Sequence, residues 1–77
     1  MNKKRREQLK MAIKLLDHSS DIVNSVSDEE QNAMDNMPEN LQESDRYSDM
    51  EDAVDALQDA LDGIDEAVSS IQEAIGE

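Results

Sequence analysis

The chain has 77 residues and a formal net charge of −13, with 20 acidic residues against seven Lys and Arg, and it contains no cysteine. A chain of this length forms one domain at most, and the lack of cysteine excludes a disulfide framework and a thiolate metal site. Its apolar runs are only a few residues long, which excludes a membrane span and a signal peptide, so we expect a soluble protein of the reducing cytoplasm.

Charge is distributed unevenly along the chain. The first 14 residues carry a net charge of +5, whereas residues 15–77 carry −18. We expect the acidic part to repel nucleic acids and anionic membranes and to attract basic protein surfaces. The basic start consists of Lys3, Lys4, Arg5 and Arg6. It fits either an arm that contacts nucleic acid or, as we favour, a charge partner for the acidic end of a second helix, which holds Glu66, Glu73 and Glu77.

Apolar residues at alternating steps of three and four predict a first helix from about residue 3 to 37. One row consists of Leu9, Ile13, Leu16 and Val23, and a second row beside it consists of Ala12, Leu15, Ile22 and Val26. A single partner helix covers only one row, so the second row predicts a homo-oligomer. Residues 27–30 have the spacing of a capping box. The helix therefore either restarts there or continues with Glu30 facing a polar opening.

A second helix follows an elbow at residues 35–43. Pro38 lacks a backbone donor and disfavours helical angles at the preceding residue, which places the elbow there. Ser44 and Ser48 are both good N-caps, and Gly76 suits the end of the helix, so we predict a helix over about 44–75. Alanines recur at every seventh position beside its apolar row, which forms four heptads. The row consists of Tyr47, Met50, Val54, Leu57, Leu61, Ile64, Val68, Ile71 and Ile75.

The expected fold is therefore all-α, with one domain over residues 1–77. It is an antiparallel helical hairpin with heptad seams that assembles into a homo-oligomeric helix bundle. The predicted core of the oligomer consists of Leu9, Ile13, Leu16, Val23, Leu57, Leu61, Ile64 and Val68.

Carboxylates on the second helix also recur at steps of three and four, opposite the apolar row. They are Asp52, Asp55, Asp59, Asp62 and Glu66, and we call them the acidic row. The row is either a surface that binds a basic partner, with a charge spacing comparable to that of DNA phosphates, or a solvated face that keeps the oligomer soluble.

A nucleotide pocket is an alternative site. Arg46 and Tyr47 place a guanidinium beside the single aromatic ring, and an oligomer could bring the cations Lys3, Lys4, Arg5 and Arg6 of another chain near them. The other interpretation is that Tyr47 caps the apolar core. No nucleophile, base and orienting group can be assembled from the sequence, so we expect no enzyme, and we expect no metal or cofactor.

The segment from Asp28 to Ser44, with its Asp-Asn-Met-Pro-Glu-Asn-Leu-Gln elbow, resembles small acidic helical proteins encoded by phages and prophages of Gram-positive bacteria. The resemblance extends over about residues 28–75 and implies a setting in the host bacterial cytoplasm, with no known activity. Three function classes follow, in order of preference: a protein that oligomerises and binds or inhibits a host or defence protein, an oligomer that sequesters a nucleotide immune signal between chains, and a structural or regulatory bundle.

Overall fold

The computed structural model describes residues 1–76 as two long helices joined by a short elbow. Helix α1 spans Lys3–Asp35 and helix α2 spans Asp45–Ile75, with a single 3-10 turn at Glu39–Leu41 between them. The helices pack side by side along their length in a rod of 59 × 15 × 15 Å. Within the described residues there is no strand. The prediction of an all-α helical hairpin is therefore confirmed.

Helix α1 begins with a side-chain cap and runs without interruption for 33 residues. The side chain of Asn2 accepts a hydrogen bond from the backbone N–H of Arg5 at 2.8 Å, which satisfies one of the free donors of the first turn. The helix is continuous through residues 27–30, so it does not restart at Ser27. It ends at Asp35, two residues before the predicted end at residue 37.

The elbow is held by hydrogen bonds around Pro38. The backbone N–H of Leu41 donates to the carbonyl of Pro38 at 2.8 Å, and the side-chain amide of Gln42 donates to the carbonyl of Met37 at 3.2 Å. Ser44 then donates from its hydroxyl to the carbonyl of Leu41 at 2.6 Å and accepts from the backbone N–H of Tyr47 at 3.3 Å. Ser44, the first of the two predicted starts, is therefore the N-cap of α2.

Helix α2 ends at a glycine in the left-handed conformation. Gly76 has a φ of 90°, and its backbone N–H donates to the carbonyls of Gln72 and Glu73. Only glycine takes this conformation without strain, which is why the helix stops here. Gly63, within the helix, has no neighbouring atom within 4 Å of the position where a Cβ would lie, so no other backbone approaches it. Glu77 lies outside the described residues.

The core lies along one face of each helix. Met34, Leu61 and Ile75 are buried, and the remaining predicted core residues are half-buried: Leu9, Ile13, Leu16, Val23, Leu57, Ile64 and Val68. Ser20, Ser27 and Glu30 are also half-buried on α1. Because each helix has a single neighbour, water reaches the margins of the contact, and no side chain is fully buried in the described part.

Candidate protein interaction surface

The acidic row lies on the solvent-exposed side of α2, and one of its members, Asp55, also borders the open space between the helices beside the elbow. All five of its residues are exposed, whereas the residues that alternate with them toward α1, such as Val54, Leu57 and Leu61, are half-buried or buried. Because residues three and four apart share a face of a helix, burying the apolar row turns the acidic row outward. The fourteen residue steps from Asp52 to Glu66 correspond to about 21 Å along the helix axis.

Few positive charges oppose this row. Helix α2 contains ten acidic residues and one cation, Arg46, which gives it a net charge of −9. Arg46 lies six residues before Asp52, or about 9 Å along the axis. Asp62 accepts a hydrogen bond from the side-chain amide of Gln58 at 3.3 Å, which leaves its charge in place. The outer face of α2 is therefore strongly acidic, with a charge opposite in sign to that of a cationic surface.

The basic residues at the start of α1 lie near one end of the rod. Lys3 to Arg6 are exposed. The Nζ atom of Lys3 forms an ion pair with Oε1 of Glu7, on the same helix, at 4.0 Å. The elbow, with Arg46 beyond it, lies at the opposite end of α1, about 50 Å away for a helix of 33 residues. A single chain therefore does not bring these cations together with Arg46 and Tyr47.

An open cavity of about 230 Å³ lies between the helices beside the elbow. Tyr47 is half-buried in its wall, but Arg46 is exposed and takes no part in the lining. The walls consist of Gln31, Met34, Tyr47, Glu51, Val54 and Asp55. Two carboxylates and no cation line this space, which is the opposite of what a phosphate group requires. The position of Tyr47 agrees with its interpretation as a residue that closes the end of the apolar contact.

Three residues of this cavity were absent from the sequence candidates: Gln31, Met34 and Glu51. A signal for Met34 does exist, because it continues the row of Leu9 and Val23 in steps of three and four. The intervening positions are Ser27 and Glu30, and their polarity hides the continuation. Gln31 donates to Asp35 at 3.1 Å, and no pattern in the sequence indicated that it borders a cavity.

The second apolar row of α1 remains uncovered in the single chain. Leu15, Ile22 and Val26, together with the adjacent Met11, are 46 to 62% exposed, and Ala12 is half-buried. These side chains form an apolar stripe on a helix whose other margins are charged. Such stripes on soluble proteins mark surfaces that contact other molecules.

Comparisons with protein-family models, with curated proteins and with solved structures found no match to this chain. Among residues 1–76, no group of three His, Asp or Glu side chains is placed to hold a metal ion. Within the same range, neither helix has a stretch that is long and apolar enough to cross a lipid bilayer. The single histidine, His18, is exposed on α1.

Proposed function

We propose that this protein is a non-enzymatic interaction protein that binds a basic surface of another protein through the acidic row. The observation that carries the proposal is the row itself: five exposed carboxylates along about 21 Å of a rigid helix. The net charge of −9 on α2 supports a basic partner and disfavours nucleic acid and anionic membranes. A helix also holds its carboxylates at fixed spacing, so little conformational entropy is lost on binding.

The same proposal includes a homo-oligomer with heptad seams. The exposed apolar stripe on α1 supports it, because one hairpin leaves this second row in water. The phage setting, the bacterial cytoplasm and a host or defence protein as the target belong to the proposal as well. They depend on the resemblance of the elbow and of the acidic heptads to small phage proteins.

The proposal is tested by neutralising the row without changing its shape. In one variant, Asp52, Asp55, Asp59 and Asp62 are replaced by Asn. In a matched control with the same change in net charge, Glu39 and Glu43 are replaced by Gln, and Asp49 and Asp65 by Asn; these four residues are exposed and lie outside the row. Each tagged protein is expressed in a bacterial host, and co-purified proteins are quantified by mass spectrometry.

We expect the row variant to lose a basic partner that the wild type and the control both retain, with helicity unchanged in circular dichroism. Equal loss in both variants would show that only bulk charge matters. No loss in either variant would contradict the proposal and favour the structural or regulatory bundle.

Sequestration of a nucleotide is the alternative function, and the half-buried Tyr47 beside a cavity is the feature that keeps it under consideration. It requires cations from another chain, because the cavity wall of one chain supplies only carboxylates. Native mass spectrometry of the purified oligomer distinguishes the two functions. A retained nucleotide that disappears in Arg46→Ala or Tyr47→Ala, but not in the row variant, would favour the alternative.

A further inference from the structure

The exposed apolar stripe of α1 has symmetric spacing. Met11, Leu15, Ile22 and Val26 are separated by four, seven and four residues, so the pattern is the same in both chain directions. Its midpoint falls between His18 and Ser19, and Ser19 is also the middle residue of α1, which spans Lys3–Asp35. A stripe with this symmetry is complementary to a second copy of itself in the opposite orientation, as a two-fold interface requires.

Charge on α1 has the opposite sign in its two halves. Residues 3–14 carry a net charge of +5 and residues 15–35 carry −6. An exposed face about a third of a turn from the stripe shows this division at steps of three, four or seven, with Lys3, Lys10 and Lys14 followed by Asp17, Asp21, Asp28 and Asp35. When two such helices lie antiparallel, the basic half of each faces the acidic half of the other. When they lie parallel, the two basic halves lie side by side, and so do the two acidic halves.

The balance of charge also selects the face on which two copies can meet. Helix α1 has a net charge of −1, whereas α2 has −9. Contact through α2 would bring two strongly negative surfaces together, but contact through α1 keeps them apart.

We propose that two copies of the chain form an antiparallel two-fold dimer through α1, with the axis passing near His18 and Ser19. The inference specifies the homo-oligomer included in the proposed function and rests on it. In the dimer, Leu15 of one copy lies beside Ile22 of the second copy. Lys14, the residue of the charged face that is nearest to the stripe, lies near Asp21 of the second copy. The two acidic rows remain outside, so each dimer offers two binding surfaces to a basic partner.

Intermolecular distances test the orientation directly. Because the chain has no cysteine, Glu7→Cys and Asn32→Cys each introduce one site for a spin label, and both residues are exposed. Asn32 lies 13.5 residues from the proposed axis, so its labels are expected about 40 Å apart in the dimer. A mixture of the two labelled proteins is expected to add a distance of about 10 to 20 Å between Glu7 and Asn32 sites, as for adjacent helices.

Pulsed electron resonance on the full chain distinguishes the arrangements. A distance of about 10 to 20 Å between two Asn32 sites would show a parallel dimer and overturn the proposal. Absence of any intermolecular distance at protein concentrations up to about 0.5 mM would overturn it as well, since that limit corresponds to a binding free energy weaker than about −5 kcal/mol.

An exchange of charges provides a second test. Lys14→Glu and Asp21→Lys each place like charges opposite each other in both halves of their own dimer, so we expect each variant alone to dimerise about tenfold more weakly at low salt. An equimolar mixture of the two restores opposite charges in both halves. It is therefore expected to dimerise within about twofold of the wild type in sedimentation. A mixture no tighter than the separate variants would overturn the proposal.

Measurements on one variant and on the wild type distinguish failure of the dimer from failure of the proposed function. Leu15→Asp is expected to remove the dimer while the hairpin keeps its helicity, because Leu15 is 62% exposed in the single chain. This variant keeps the acidic row. Missing label distances with retained capture of a basic partner would count against the dimer alone. Intact distances without capture by the wild type would count against the proposed function alone.

Discussion

Truncation of Leu61 measures how much of the stability depends on the contact between the two helices. Leu61 is 7% exposed and is one of three buried residues in the described part of the chain. Leu61→Ala removes three carbon atoms, and at about 0.8 kcal/mol for each buried methylene the loss of burial amounts to about 2 kcal/mol. The cavity that remains adds to this, so we expect a total of about 2 to 3 kcal/mol. A single domain of this size has about 4 to 12 kcal/mol of stability, so the change is a large fraction of it.

The assay is urea unfolding followed by circular dichroism, at a protein concentration identical for all variants. With a denaturant dependence of about 1 kcal/mol/M, Leu61→Ala is expected to lower the midpoint by about 2 to 3 M. The matched control is Leu41→Ala in the elbow, where the same atoms are removed from a side chain that is 46% exposed. We expect about half the effect there, or about 1 kcal/mol. If Leu61→Ala shifts the midpoint no more than Leu41→Ala, α2 does not pack on α1 in the way described.

Three further predictions concern the same hairpin. Gly63→Ala should stabilise the hairpin by about 1 kcal/mol, because alanine favours the helix and open space surrounds the added Cβ. Gly76→Ala should destabilise it, because φ is 90° at that position. Thermal unfolding compares the two variants. Leu16→Asp should unfold and dissociate the protein together, since it places a charge without a partner against α2; a variant with full helicity and wild-type sedimentation would contradict this. Raising sodium chloride from about 0.01 to 0.2 M should raise the melting temperature, because the screening length falls from about 30 Å to below 10 Å and the carboxylates of α2 repel one another less. A melting temperature that falls with salt would show that attractive ion pairs dominate.

Much of this architecture follows from local chemistry that is visible in the sequence. Pro38 marks the elbow because it cannot donate to a helix. Ser44 caps α2 because its side chain accepts a backbone N–H of the first turn, and Gly76 ends α2 because it tolerates a left-handed conformation. The outward position of the acidic row also follows from the sequence, since steps of three and four opposite an apolar row leave one orientation for carboxylates.

Packing decided what local signals left open. The capping box at residues 27–30 competes with a continuous helix, and α1 continues, with Ser27 and Glu30 half-buried on the face that meets α2. A local cap contributes about 1 kcal/mol to stability, whereas most of the stability of a helix in a protein comes from the packing of its apolar face along its whole length. Packing likewise buried Met34, whose place in the apolar row is hidden by the polar Ser27 and Glu30, and formed the cavity beside Tyr47, which the spacing of the apolar residues did not indicate.

The sequence by itself determined that α1 has two apolar rows, and only the tertiary structure decided which one α2 covers. Both rows recur at helical spacing and have similar composition, so periodicity cannot rank them. The row containing Leu9, Ile13 and Leu16 lies against α2, and the row containing Leu15 and Ile22 is exposed. The choice depends on the direction in which the elbow returns the chain, because a helix of finite width can cover only one side of its neighbour.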